Sequence, residues 1–159
     1  MRVCGIGGNY WNIRKKGIKE MNLRFSVLSS GSTGNSMVVE NEEHRVLVDV
    51  GFSAKKMEAL LAEREVAAAS LDAVMITHEH SDHIKGLGAF ARKYNLPVYA
   101  NEKTWEALNN QIGEIAEENK RVMDTGSVVE FGSLQIESYA ISHDAAELWA
   151  IVFMRGSRS

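Results

Sequence analysis

From residue 21 onward, hydrophobic and polar positions follow two alternating periods. Leu23, Phe25 and Val27 alternate with Arg24, Ser26 and Leu28, the period of two that predicts a strand. Met37-Val38-Val39 resumes a strand beyond the small polar stretch Ser29–Ser36. After the turn Glu42-Glu43-His44, a third strand runs from Arg45 to Val50 and closes on Asp49-x-Gly51. The period then lengthens. Ser53 is placed to N-cap a helix from Ala54 to Glu65, with Met57, Leu60 and Leu61 on one face and Lys55, Lys56, Glu58, Glu63 and Arg64 around the rest. Such a stripe is core packing rather than a cofactor contact. The apolar run Ala73–Ile76 predicts a buried strand, and Ile84, Leu87, Phe90 and Ala91 fall at helical spacing through Tyr94. Pro97, the one proline, opens a short strand Val98–Ala100, and Asn101 caps a helix through Trp105 and Leu108. The segment from Gly113 to Arg121 is polar and reads as helix or loop. Val128–Phe131 and Leu134–Ile141 flank Gly132-Ser133 as a hairpin. The whole is a mixed α/β (α+β) pattern.

Residues 1–20 do not share it. Gly5, Gly7 and Gly8 with Asn9 and Asn12 give no periodicity, so the segment reads as a flexible or non-native extension, with Met21 as the expected natural start. At 159 residues with 45% hydrophobic and 25% charged content, the chain is long enough for one domain with a real core. No apolar run reaches the roughly 20 residues that span a bilayer, and the N-terminus lacks the apolar stretch of a secretory signal. The single cysteine, Cys4, rules out an internal disulfide framework and fits a reducing cytoplasm. The net charge of −3 is uneven: residues 1–20 carry five basic and one acidic residue, and the remainder 13 basic and 20 acidic. A global basic surplus for nucleic acid is therefore absent. The local pairs Lys55-Lys56, Arg92-Lys93 and Lys120-Arg121 are candidates for a local basic patch, although exposed pairs of this kind are more often solvated faces.

The candidate chemistry lies just after the buried strand. In Thr77-His78-Glu79-His80-Ser81-Asp82-His83, three of the five histidines fall within six residues, with a carboxylate between the last two. Imidazole nitrogen and carboxylate oxygen suit Zn²⁺, Fe²⁺ or Mn²⁺. His78 and His80, two apart in an extended segment, project to one side. Asp82 and His83 follow where the chain turns into a helix and reach from another direction, an arrangement better suited to two adjacent ions than to one. A metal site needs more ligands than one segment offers, and His143, just past a strand end, is a candidate for a further one. The loop Ser29–Ser36 reads either as a hairpin connection or as a set of N–H groups lining an anion site. It is not a P-loop, since no Gly-Lys-Ser/Thr follows.

In this order and spacing, Val48-Asp49-Val50-Gly51, His78-x-His80-x-Asp82-His83 and the later His143 resemble the metallo-β-lactamase fold superfamily. Within it, Leu28 to Ser36 together with Ile141-Ser142-His143-Asp144-Ala145 is similar to the YycJ (WalJ) branch, over about Met21 to Glu147. The resemblance implies an αββα sandwich and a 5′→3′ exonuclease acting on double-stranded DNA, linked to mismatch repair. It implies His78, His80 and His143 as ligands of a first metal and Asp82 and His83 as ligands of a second. Asp49 becomes the carboxylate behind the site, and Asn35 a residue at the substrate rim. The implied cofactors are two divalent ions, Zn²⁺ or Mn²⁺, with Fe²⁺ also compatible. The implied reaction is attack of metal-bound hydroxide on a phosphodiester, with Asp82 as the catalytic group able to hold the nucleophile's proton.

The family pattern continues well past the point where this sequence stops, and no aspartate or histidine occurs after Asp144. The expectation is therefore the N-terminal half to two-thirds of the sandwich over residues 21–147, a second metal short of ligands, and a first sheet short of its packing partner. Residues 148–159 are expected to be a tail read in a shifted frame. DNA is the expected substrate, no membrane partner is expected, and the sequence carries no signal for oligomeric state. Two other readings stand beside the exonuclease. One is a hydrolase of the same fold acting on a thioester, lactone or β-lactam. The other is a non-catalytic fragment holding at most one metal through His78, His80 and His143.

Overall fold

A computed structural model describes residues 2–3, 23–138 and 151–154 of the chain. Its strands are β1 (Arg2–Val3), β2 (Arg24–Ser29), β3 (Ser36–Glu40), β4 (Arg45–Val48), β5 (Ala73–Met75), β6 (Val98–Ala100), β7 (Lys120–Val122), β8 (Val128–Phe131), β9 (Leu134–Glu137) and β10 (Ile151–Met154). Its α-helices are α1 (Ala54–Glu63), α2 (Ser81–Ile84), α3 (Leu87–Tyr94) and α4 (Glu102–Leu108). Six strands form one sheet in the order β2-β3-β4-β5-β6-β7, antiparallel through β4 and parallel from β4 to β7. A second sheet runs β1-β10-β9-β8, all antiparallel.

Both faces of the first sheet are covered, which explains why β5 is apolar at every position and β4 from Val46 to Val48. On one face Val38, Leu47, Val74, Ile76 and Val98 pack with Met57 and Leu61 of α1, Phe90 of α3, and Trp105 and Leu108 of α4. On the other, Val39, Val46, Val48 and Met75 meet Leu134 and Ile136 of β9, with Val129 and Phe131 of β8 at the margin. Each such side chain taken fully out of water contributes roughly 1.5–3 kcal/mol. The described residues thus build three layers, helix, sheet and sheet. The expectation that the first sheet lacks a packing partner is corrected: the hairpin β8–β9, extended by β10 and β1, supplies one. Arg2 and Val3 of the expected extension pair with Phe153 and Val152 of the expected tail. The remainder of both segments, with Met21, lies outside the described residues.

Local chemistry sets most element boundaries. Ser53 accepts from the Lys56 N–H as the N-cap of α1, and Asn101 accepts from Thr104 N–H as that of α4. α1 stops at Glu63, two residues before the expected end, because Glu65 turns to a φ of 58° and Val66 N–H bonds back to Leu61. The helical stretch expected from Ile84 to Tyr94 is broken between α2 and α3. There Gly86 donates to Val50 O at 3.1 Å, and a Cβ on Gly86 would sit 1.8 Å from Phe52 O. The polar segment ending at Arg121 holds a 3₁₀ turn, Glu117–Asn119, and then β7, which is a strand because it pairs with β6 rather than by its own pattern.

Candidate metal centre

The parallel strands β4 and β5 end side by side, and the chain leaving each carries the site. Asp49 follows β4. It adopts a φ of 63° and donates its N–H to Met75 O at 2.8 Å, while Ser36 Oγ donates to its carbonyl at 2.7 Å. The carboxylate is thereby turned toward the loop after β5. A buried carboxylate is costly unless its lone pairs are met, and here three donors meet them. Thr77 N–H reaches Oδ1 at 2.8 Å, and Thr77 Oγ1 and His83 Nδ1 both reach Oδ2 at 2.6 Å.

That arrangement fixes protons. An ionised carboxylate only accepts, so His83 Nδ1 carries a hydrogen toward Asp49 and the Thr77 hydroxyl points the same way. With its hydrogen committed, Thr77 Oγ1 can only accept from His78 Nδ1, 3.0 Å away. The Nε2 atoms of His78 and His83 are left as the working ends of the two rings, the orientation that a carboxylate or hydroxyl behind a ligand imidazole enforces. Burial lowers the His78 pKa from its ordinary 6.5, and the neighbouring His83 adds to that, so His78 is held neutral. Burial opposes charge on His83 as well. The hydrogen bond and charge of Asp49, joined by Asp82, outweigh it and raise its pKa.

The structure places His78, His80, Asp82 and His83 together at the start of α2. The ring centroids of His78 lie 4.5 Å from His80 and 3.8 Å from His83. His78 is buried, His80 exposed, and Asp82 and His83 lie between these extremes. His83 Nε2 stands 3.2 Å from Asp82 Oδ2. Two ligands sharing a tetrahedral ion at bond lengths near 2.0–2.1 Å lie about 3.3 Å apart, and the separation of this pair matches that spacing. Among the described residues, no group of three or more histidine, cysteine or acidic side chains converges on one ion position. His143, expected as a further ligand, lies outside the described residues.

Asn35 is not simply at a rim. Its side-chain amide donates to Asp82 Oδ2 at 2.8 Å, and its backbone N–H donates to Asp82 O at 2.7 Å. The Ser29–Ser36 loop is indeed a hairpin connection, between antiparallel β2 and β3, with a register shift at Val27–Ser29 on its near side. Sequence reasoning gives Thr77 no role, although a hydroxyl between a buried strand and a first histidine is an available signal. Gly51 enters there only as part of a motif. It is required because a Cβ at this position would lie 2.1 Å from Asp82 O and 2.3 Å from Asn35 N.

A mixed sheet with helices on one face and a second sheet on the other, carrying a histidine-rich loop braced by a buried aspartate, defines a class. Residues 30–149 match the profile of the Metallo-beta-lactamase superfamily, and the chain belongs to that superfamily. Membership implies divalent metal ions at the site. More particularly, the chain is 50% identical over 138 residues to Exodeoxyribonuclease YycJ of Bacillus anthracis, a match covering 87% of this chain and 52% of that protein. It is 44% identical over 144 residues to Exodeoxyribonuclease WalJ of Streptococcus pneumoniae serotype 2, covering 89% of this chain and 54% of the relative. The chain therefore spans about half the length of the curated relatives it matches. Among solved structures, BJP-1, a subclass B3 metallo-beta-lactamase of Bradyrhizobium japonicum, superposes with a TM-score of 0.66 at 15% identity, over 87% of this chain and 56% of that one. That likeness carries the fold alone. No helix among the described residues is long and apolar enough to cross a membrane.

Proposed function

We propose that the protein is a metal-dependent hydrolase of phosphodiesters, a cytoplasmic exonuclease that degrades double-stranded DNA from 5′ ends. The observation that carries this reading is the 50% identity to a protein named exodeoxyribonuclease. A match of that extent on a 159-residue chain necessarily includes the whole stretch from Asn35 to His83. His78, His80 and His143 would hold one ion, and Asp82 and His83 a second, with Zn²⁺ or Mn²⁺ matching the donor types and Fe²⁺ compatible with them. Bound there, divalent ions acidify water and offset the charge that develops on a phosphodiester during displacement.

The protein's own groups prepare that chemistry. Asp49 keeps His83 Nδ1 protonated, and through Thr77 it does the same for His78, so both rings present Nε2. Asp82, half-buried beside the rings, can take the proton that an attacking water gives up. His80 is exposed to solvent at the same loop.

The test is incubation of the full protein with blunt duplex DNA labelled at the 5′ end or the 3′ end, with Mn²⁺ or Zn²⁺ added. Metal-dependent release of nucleotides from the 5′ end, abolished by His80→Ala, is the expected result. A metal-loaded protein that leaves duplex DNA intact while hydrolysing a thioester, lactone or β-lactam would overturn the proposal.

A further inference from the structure

Asn35 engages both its backbone and its side-chain amide within the protein. Its N–H donates to Asp82 O at 2.7 Å, and its C=O accepts from Gly51 N–H at 3.0 Å. Its Oδ1 accepts from Gly31 N–H at 3.1 Å, while Nδ2 donates to Gly31 O at 2.8 Å and to Asp82 Oδ2 at 2.8 Å. This pattern fixes which way the amide faces. Turned over, it would set its carbonyl oxygen against two acceptor oxygens and its NH₂ against an N–H. Both hydrogens of the side-chain amide are thus spent within the protein.

We infer that Asn35 is a positioning residue whose amide sets the Asp82 carboxylate in its ligand orientation before an ion arrives. Two observations separate this from a role in shaping the loop alone. The reciprocal pair with Gly31 already closes the loop over four residues, so the bond to Asp82, 47 residues away in sequence, adds nothing to loop closure. Asp82 sits in the first turn of the four-residue helix α2, half-exposed, where a carboxylate has several rotamers open to it. Its Oδ2 is instead bracketed by Asn35 Nδ2 at 2.8 Å and His83 Nε2 at 3.2 Å. An ion bound at Nε2 would remove the hydrogen of the His83 contact, whereas the amide contact does not depend on that nitrogen. The backbone bonds on either side of Asn35 carry the same restraint into the chain: Asp82 O, Asn35 and Gly51 form one hydrogen-bonded run joining the β2–β3 loop, the β4 exit and α2. Outer partners of this kind govern metal affinity in proportion to how well they hold the ligand.

The inference rests on the metal reading proposed above, and the experiment separates the two. Co²⁺ is titrated into the full protein and followed by its visible absorption, with Zn²⁺ binding measured by calorimetry, for the unaltered protein, Asn35→Ala and Asp82→Ala. Asn35→Ser is run in parallel. It keeps a polar group in the loop but ends one bond short of Nδ2, and it serves if the alanine variant does not fold. The expected result is that Asp82→Ala removes one binding step and that the Asn35 variants weaken the same step by about 10–100-fold, with an altered Co²⁺ spectrum. Asn35 variants that match the unaltered protein in affinity and spectrum, while Asp82→Ala is defective, would overturn the inference alone. If no binding step depends on Asp82, the metal reading fails and this inference falls with it.

Discussion

Replacing Asp49 by asparagine changes the site by one charge and almost no volume. The introduced amide would still accept from Thr77 N–H through its oxygen, but the atom facing Thr77 Oγ1 and His83 Nδ1 would now be an NH₂, a donor opposite two donors. In the native protein both contacts are 2.6 Å and charge-assisted, each worth about 1.5–3 kcal/mol. Part of that is recoverable, since the Thr77 hydroxyl can reverse and His83 can move its proton to Nε2. The net cost is about 2–4 kcal/mol, which for a domain of this length lowers the melting temperature by roughly 5–15 °C. The functional cost is distinct from the structural one. With His83 protonated on Nε2, the nitrogen facing Asp82 no longer offers a lone pair, and affinity for an ion at that pair falls about 10–100-fold. Thermal unfolding of the metal-free protein by circular dichroism reads the first effect, and Zn²⁺ calorimetry at matched pH reads the second. An Asp49→Asn protein with unchanged melting temperature and unchanged Zn²⁺ affinity would refute the idea that Asp49 sets the tautomers.

Gly51→Ala places a methyl group 2.1 Å from Asp82 O and 2.3 Å from Asn35 N, both backbone atoms. It should cost about 3 kcal/mol, visible as a lower denaturation midpoint. A stability unchanged to within about 0.5 kcal/mol, the scatter of ordinary surface substitutions, would show that the two loops do not pack as described. In the metal-free protein, His83 should titrate above 6.5 and His78 below it. The His83 contribution to stability is then complete below the unfolded value and fades as pH rises through the raised one. That of His78 is present above the unfolded value and fades as pH falls through the lowered one. Nitrogen NMR of the two rings checks the order, and His78 titrating at the higher pH would contradict it.

How far the sequence discloses this architecture depends on where the cause of each feature lies. β5 and its histidine loop are legible because a fully apolar run followed by a polar cluster is a local signal. α1 is legible from Ser53 and the Met57–Leu61 face for the same reason. The break between α2 and α3 is not, because it comes from Gly86 meeting the backbone of Phe52, a contact no window around Gly86 contains. β7 escapes notice because Lys120 and Arg121 are strand residues only by virtue of β6 beside them. In the site, the residue types announce metal chemistry. The proton logic through Thr77, and the grip of Asn35 on Asp82, are tertiary hydrogen bonds between groups far apart in sequence, invisible to spacing.

The hydrogen-bonded lattice of the site, from Gly31 through Asn35, Ser36, Asp49, Gly51 and Thr77 to His83, comes from one contiguous stretch of chain. A nascent chain therefore has every member of that lattice once His83 has been added, before any residue of β6 to β9 is made. Its closures are not short, since Asp49 meets Thr77 across 28 residues and Asn35 meets Asp82 across 47, so the bracing of the histidines forms only as β4 and β5 come together.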